Sequence, residues 1–227
     1  MLATLHAVDD PWLHVRGEAM LGEFARIEQR FDDAVAHLAR AAETSRRLGF
    51  AQTEAYQVSS LGRAQCQAGD YDASAATLAL AVEKAEATGD VRMAALARIH
   101  LGRVLRALGR RDEARVTLEA TVAWHRGVGG GEQAQLGEVL LAAEDAHDEA
   151  SNAEERLIEL LASARRDGNA PVEVFALDAL ARIAADPQEA AALQERADAR
   201  MSDASHFITE RDRVDRITPP RERSLPR

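Results

Sequence analysis

Apolar residues recur along most of the chain at the spacing of an amphipathic helix, in segments separated by short polar or glycine-containing breaks. In the segment from Pro11 to Ile27 the apolar side chains follow one another at close to the helical period. The next segment, Phe31 to Leu48, has a stripe of its own and stops at Gly49, as a helix with a C-terminal glycine does. No stretch alternates apolar and polar residues in the manner of a half-buried strand. The pattern therefore predicts a chain built of helices alone.

Along residues 11–201 this pattern predicts antiparallel helix pairs, because the turns between helices are too short for any other arrangement. The predicted helices span 11–27, 31–48, 52–68, 71–88, 91–108, 112–126, 132–146, 151–166, 172–185 and 188–201. Asp186 and Pro187 are the residue types that begin a helix, and they precede the last one. From Ser202 the periodicity fails, and prolines such as Pro219 exclude a further helix, so residues 202–227 are predicted to be a flexible tail or linker.

The helix pairs repeat at a fixed period. Leu21-Gly22 returns as Leu61-Gly62 and as Leu101-Gly102, at intervals of 40 residues, and a leucine follows each pair at Leu38, Leu78 and Leu118. Self-similarity of this kind indicates a solenoid in which each repeat covers the apolar surface of the next. We expect Leu21, Leu61 and Leu101 to be buried in equivalent places. The adjacent glycines should let two helices approach closely, against small residues at Ala34, Ser74 and Ala114.

The predicted fold is therefore all-α, a right-handed α-solenoid of about five helix-turn-helix repeats. The solenoid occupies residues 1–201, with repeats at about 11–49, 50–89, 90–130, 131–169 and 170–201.

The stretch from Leu61 to Ala85 resembles the tetratricopeptide repeat. The residues that match the pattern of this family are Leu61, Gly62, Gly69, Tyr71, Leu78 and Ala81, with Ser74 in place of the first alanine. The period of 40 differs from the usual 34 of the family, and the early tryptophan is absent. Long repeats of this kind resemble the sensor arrays of bacterial transcription activators and signal-transduction ATPases. The resemblance implies a binding surface.

Composition excludes several classes of partner. The net charge of −10 is a poor match for a phosphate backbone, so we expect no direct contact with nucleic acid. No apolar run is long enough to span a membrane. Cys66 is the only cysteine, which precludes an internal disulfide and fits a reducing compartment. Because the first residues do not read as a secretory signal, a cytoplasmic location is expected.

Residues with catalytic or metal-binding potential do not converge in the sequence. The glycine cluster Gly127–Gly131 lacks the lysine and hydroxyl residue of a phosphate-binding loop, and we interpret it as a loop between repeats. Cys66 has no evident base, which favours a packed side chain. The seven histidines include no pair at metal-binding helical spacing. We therefore predict no enzyme activity, no cofactor and no metal.

The resemblance also implies which residues face the partner. In tetratricopeptide arrays the first helix of each pair lines the concave surface, and transfer of the inward positions gives Ala19, Glu23, Arg26 and Ile27 in the first unit. The predicted partner-binding groove comprises Arg26, Tyr56, Arg63, Arg103 and Arg106. Arginine binds carboxylates and phosphates in a bidentate manner, so an acidic peptide or a small anionic effector would suit this surface. Alternatively, these arginines pair with Glu23, Glu54 and their neighbours, or face water.

These features predict a non-catalytic module that binds a protein, a peptide or an effector. The resemblance implies the regulatory sensor region of a bacterial signalling or transcription regulator. A freestanding adaptor that scaffolds a protein complex is the alternative. An enzyme that uses the groove is a third reading, which the lack of a convergent acid, base and nucleophile disfavours. The sequence identifies neither the partner nor the oligomeric state.

Overall fold

The computed structural model describes residues 10–128, 131–148, 152–204 and 208, and within these ranges the chain forms ten α-helices and no strand. The helices are α1 Pro11–Ile27, α2 Phe31–Arg47, α3 Ala51–Ala68, α4 Tyr71–Ala87, α5 Val91–Ala107, α6 Arg111–Val128, α7 Gly131–His147, α8 Ala153–Asp167, α9 Ala170–Ile183 and α10 Pro187–Ala204. The predicted all-α class is confirmed, and the predicted helix ends lie within three residues of those observed.

Short-range signals account for most helix ends. The side chain of Asp10 accepts a hydrogen bond from the backbone N–H of Trp12 at 2.9 Å, and Asp186 accepts from Gln188 at 3.0 Å beside Pro187. Between α3 and α4 the chain turns at Gly69 with φ of 91°, in the left-handed region that favours glycine. Forty residues earlier the equivalent turn contains Gln29, also at positive φ (60°). The first repeat thus makes the same turn with glutamine, whose Cβ atom makes the left-handed conformation less favourable than it is for glycine.

The glycine cluster forms a shorter connection than the sequence predicts. Gly127 and Val128 belong to α6, and Gly131 begins α7, so only positions 129 and 130, which lie outside the described residues, separate the two helices. A Cβ atom at Gly127 would meet nothing within 4 Å. Glycine destabilises a helix by about 1 kcal/mol relative to alanine. The hydrogen bonds that continue from the preceding turns of α6 can offset this cost.

The chain divides into two compact units, residues 1–117 and residues 118–227, with the division inside α6. In the first unit consecutive helices from α1 to α5 pack against one another, and the alternate helices α1, α3 and α5 also touch. This is the sequential packing of a helical repeat. The core between the helices is made of alanine and leucine, with Leu38 and Leu78 fully buried.

The leucine-glycine pairs divide their roles within this packing. A Cβ atom at Gly22 or Gly62 would lie 2.6 Å from the Cγ atom of Leu38 or Leu78, so the predicted close approach of paired helices is confirmed. Leu21, Leu61 and Leu101 are only half-buried, which corrects the expectation that they are buried. Each leucine is rotated about 100° from the contact that its neighbouring glycine makes, because a helix has 3.6 residues per turn. Leu61 and Leu101 therefore pack at the margin of a core cluster.

In the second unit α9 is the central helix and packs against α7, α8 and α10. Residues 172–181 are buried without interruption, which is typical of a helix covered on all sides. Packing continues beyond the predicted end of the solenoid at residue 201, because Ala204 and Ile208 are both buried. The rest of the predicted tail, residues 205–207 and 209–227, lies outside the described residues. Among the helices described, none is both long and apolar enough to cross a membrane.

Candidate functional site

A groove of about 540 Å³ lies on the first unit, lined by helices α1 and α3; we call it the α1–α3 groove. Its lining residues are Trp12, Val15, Arg16, Ala19, Met20, Glu23, Phe24, Ile27, Gln52, Thr53, Tyr56 and Gln57. They include Ala19, Glu23 and Ile27, three of the four positions expected to face inward on the first helix, and Tyr56, expected on the third. The volume lies in the range of sites that bind small molecules or side chains of a partner.

Large apolar side chains of this groove are open to solvent. Trp12, Met20, Phe24, Ile27 and Tyr56 are each between 41% and 51% exposed. On α1 they recur at helical spacing along one face, so the exposure is contiguous instead of scattered. Contiguous apolar surface of this kind is typical of interaction sites, because water disfavours it in the absence of a partner.

The groove also contains hydrogen-bond acceptors that no donor satisfies. The Oε2 atom of Glu23 accepts from Nε of Arg26 at 2.9 Å, but its Oε1 atom is buried without a hydrogen-bond partner. On the facing helix Gln57 is 5% exposed, and its Oε1 atom is likewise buried and lacks a donor. Buried polar atoms are nearly always hydrogen-bonded, so two exceptions in one groove indicate a place where donors are supplied from elsewhere.

The predicted arginines lie beneath the surface instead of on it. Arg26, Arg103 and Arg106 are 4%, 6% and 7% exposed, and Arg63 is half-buried. Of the two expected acidic partners, Glu23 pairs with Arg26, whereas Glu54 pairs with Lys84 at 2.7 Å. For Arg26, therefore, the ion-pair alternative weighed from the sequence is realised.

Three of these arginines surround a residue that the sequence did not single out, His100. Nη1 of Arg103 lies 3.3 Å from Nδ1 of His100. Burial lowers the pKa of His100 well below its ordinary value, and the positive charges of Arg63, Arg103 and Arg26 lower it further. His100 is therefore neutral at pH 7 inside a cluster of positive charge. The sequence analysis tested the histidines only as metal ligands, so it missed His100. The one available signal was its position immediately before the repeated Leu101.

Other candidate residues take structural places. Cys66 is buried at 6% exposure, in a core cluster with Ala75, Leu78 and Val104. Within the described ranges, no three histidine, cysteine or acidic residues are grouped as metal ligands would be. A second groove of about 520 Å³, in the second unit, is lined mainly by charged residues, and Arg126 pairs there with Glu138 at 2.7 Å.

Comparison with known proteins adds no relative. No family model matches the chain, and no curated protein is similar to it. The likeness to tetratricopeptide repeats accordingly stays a prediction from the residues that carry it.

Proposed function

We propose that the first unit is a non-catalytic recognition module that binds a segment of a partner protein in the α1–α3 groove. The observation that carries this proposal is the contiguous exposure of Trp12, Met20, Phe24, Ile27 and Tyr56 along one open groove. An elongated surface between two helices suits an apolar segment of a partner, which would cover these side chains and remove them from water. The lining residues offer mainly apolar contact area, and Glu23, the one carboxylate among them, forms an ion pair with Arg26.

The biological setting that we propose follows from the resemblance of the repeats. A sensor region of a bacterial signalling or transcription regulator would use such a groove to receive a protein, a peptide or an effector. A freestanding adaptor that scaffolds a protein complex would use the same groove, so this alternative has the same site. The two differ in what flanks the module.

A second candidate ligand is anionic, either an acidic peptide or a small effector held by Arg63, Arg103 and Arg106. It is favoured by the charges of Arg26, Arg63 and Arg103 that converge on His100. An anion would have to reach side chains that are largely buried, and its binding would weaken as salt rises wherever water has access. We therefore rank the anionic ligand below the apolar segment as a candidate occupant.

The test is selection of binding peptides from a random display library on the folded protein, followed by calorimetry with Phe24→Ser. Phe24 is 51% exposed, so its replacement should leave the melting temperature nearly unchanged. Loss of one apolar anchor should weaken binding by about tenfold or more. The matched control is Leu80→Ser, because Leu80 is an apolar residue of similar exposure, 42%, that does not line the groove.

If the selected peptides bind Phe24→Ser and the parent with equal affinity, the α1–α3 groove is not their binding site. If the same peptides lose affinity in the double variant Arg63→Ala with Arg103→Ala, and in high salt, the anionic candidate takes its place. If neither change matters, both sites are excluded.

A further inference from the structure

We infer that the α1–α3 groove selects a bulky apolar group that carries a neutral N–H donor, the chemistry of a tryptophan side chain, through Glu23 and Gln57. The inference depends on the proposed function, because it names what the proposed groove recognises.

The two unsatisfied acceptors give the reason for a donor. Glu23 on α1 and Gln57 on α3 each bury an Oε1 atom without a hydrogen-bond partner, and both residues line the same groove. A buried acceptor left in this state carries a free-energy cost, because it has lost its hydrogen bonds to water without a replacement. An occupant that brings an N–H group recovers this cost, so its affinity gains from a donor more than it would at an exposed acceptor.

The charges around the groove indicate that this donor is neutral. Arg26 already balances the carboxylate of Glu23, through a hydrogen bond of 2.9 Å, and the guanidinium of Arg16 also lines the groove. A second cation would be repelled by these two arginines. A carboxylate on the occupant could not donate a hydrogen bond to either acceptor.

The walls of the groove indicate an apolar, aromatic group. Trp12, Phe24 and Tyr56 contribute three rings, and Met20 and Ile27 contribute aliphatic contacts. Aromatic pairs gain from edge-to-face or offset contacts beyond the area that they bury. The indole ring joins a large apolar body to one N–H that can only donate, which matches apolar walls that also bury two acceptors without a hydrogen-bond partner.

The geometry requires one small movement. The Oε1 atom of Gln57 is covered by its neighbours. The terminal torsion of a glutamine side chain is soft, so the amide can turn toward an occupant without a change in the helix. Binding should therefore shift the NMR signals of the side-chain amide of Gln57 together with backbone signals of the groove.

The experiment compares indole with benzofuran, which has almost the same shape but an oxygen in place of the N–H. Each is titrated into the full chain and followed by ¹⁵N-resolved NMR. One neutral hydrogen bond corresponds to a preference for indole of about 2- to 10-fold, with shifts at the residues that line the groove. In Gln57→Leu the preference should fall toward equality. This variant should melt at the same temperature as the parent or higher, because an unsatisfied acceptor is removed.

The control is Gln65→Leu. Gln65 lies two turns further along α3 and also buries an Oε1 atom without a donor, but it does not line the groove. It should leave the preference for indole unchanged. A folded Gln57→Leu variant that keeps the parent's preference for indole would overturn the inference.

Equal affinity of indole and benzofuran for the parent, with shifts in the groove, would overturn the donor preference and leave the groove intact as a binding surface. Absence of shifts with either compound at millimolar concentration would also overturn it. The peptide selection tests the groove separately, so the two failures are distinguishable. If Gln57→Leu does not fold, the comparison of the two compounds on the parent decides the question alone.

Discussion

At the scale of single residues, glycine determines how closely the helices of a pair approach. Gly22 and Gly62 bring the backbone of α1 and of α3 against Leu38 and Leu78. Their spacing of 40 residues predicted this close approach. Gly137 makes a similar approach, with a Cβ position 2.6 Å from Cγ2 of Val122. It was not predicted, because it is out of phase with the repeat.

Replacement of Gly62 by alanine should therefore destabilise the protein. We expect a loss of about 1–3 kcal/mol from overpacking against Leu78, although alanine is the better helix former by about 1 kcal/mol. Gly127→Ala is the control of opposite sign: Gly127 is helical and exposed, with nothing within 4 Å of its Cβ position, and the change should stabilise by up to about 1 kcal/mol. Urea unfolding of the three proteins measures both effects. A Gly62→Ala variant as stable as the parent would show that the close approach is not required.

At the scale of helices, one carboxylate connects three elements of the second unit. Glu173 on α9 accepts hydrogen bonds from Nε of Arg165 on α8 at 2.9 Å and from Nε of Arg200 on α10 at 2.7 Å. Its side chain is only 7% exposed. Burial raises the pKa of Glu173, but the hydrogen bonds from the two arginines together outweigh burial, and the pKa is lowered.

The contribution of Glu173 to stability should therefore depend on pH. Because its pKa is lower in the folded state, the contribution is complete above the unfolded value of about 4.5 and is lost as pH falls through the folded value. At pH 7 we expect Glu173→Gln to lose about 1–2 kcal/mol, and at pH 3 the variant and the parent should nearly converge. Glu189→Gln, at an exposed position of α10, serves as the control. A difference between Glu173→Gln and the parent that stays constant from pH 7 to pH 3 would contradict the assigned ion pairs.

At the scale of the whole molecule, each compact unit contains a histidine that resists protonation. His100 in the first unit is shifted by burial and by Arg63, Arg103 and Arg26, and burial lowers the pKa of His125 in the second. The unfolded chain can protonate both residues below about pH 6.5, whereas the folded chain binds those protons less readily. Mild acid therefore acts against folding in both units.

Stability should accordingly fall between pH 7 and pH 5, before most carboxylates titrate. A single histidine contributes a slope of at most about 1.4 kcal/mol per pH unit, and His100→Gln should remove its share from the total. The measurement is the free energy of unfolding of parent and variant at several values of pH in this range. Parallel pH profiles for the two proteins would show that His100 binds its proton equally well in the folded and the unfolded chain, and would contradict the arginine cluster around it.

The order of residues alone was enough to predict the helices and the register of the repeats. Helical periodicity located ten helices, because a buried face repeats every 3.6 residues wherever the chain folds. The period of 40 located Gly22 and Gly62, because equivalent helix contacts need equivalent small residues. The face of α1 that carries Ala19, Glu23 and Ile27 was expected from the resemblance to tetratricopeptide repeats.

How deeply each polar group is buried could not be predicted in this way, because it depends on how the helices pack. That Arg26, Arg103 and Arg106 are buried, that arginine charges converge on His100, and that Glu23 and Gln57 are left with unsatisfied acceptors all depend on the rotation and height of one helix against another. Periodicity assigns a residue to a face, but the neighbouring helices that pack against this face determine what surrounds the residue there. The physical reason is that hydrogen bonding and desolvation act over a few ångströms, a distance that the order of residues along the chain does not specify.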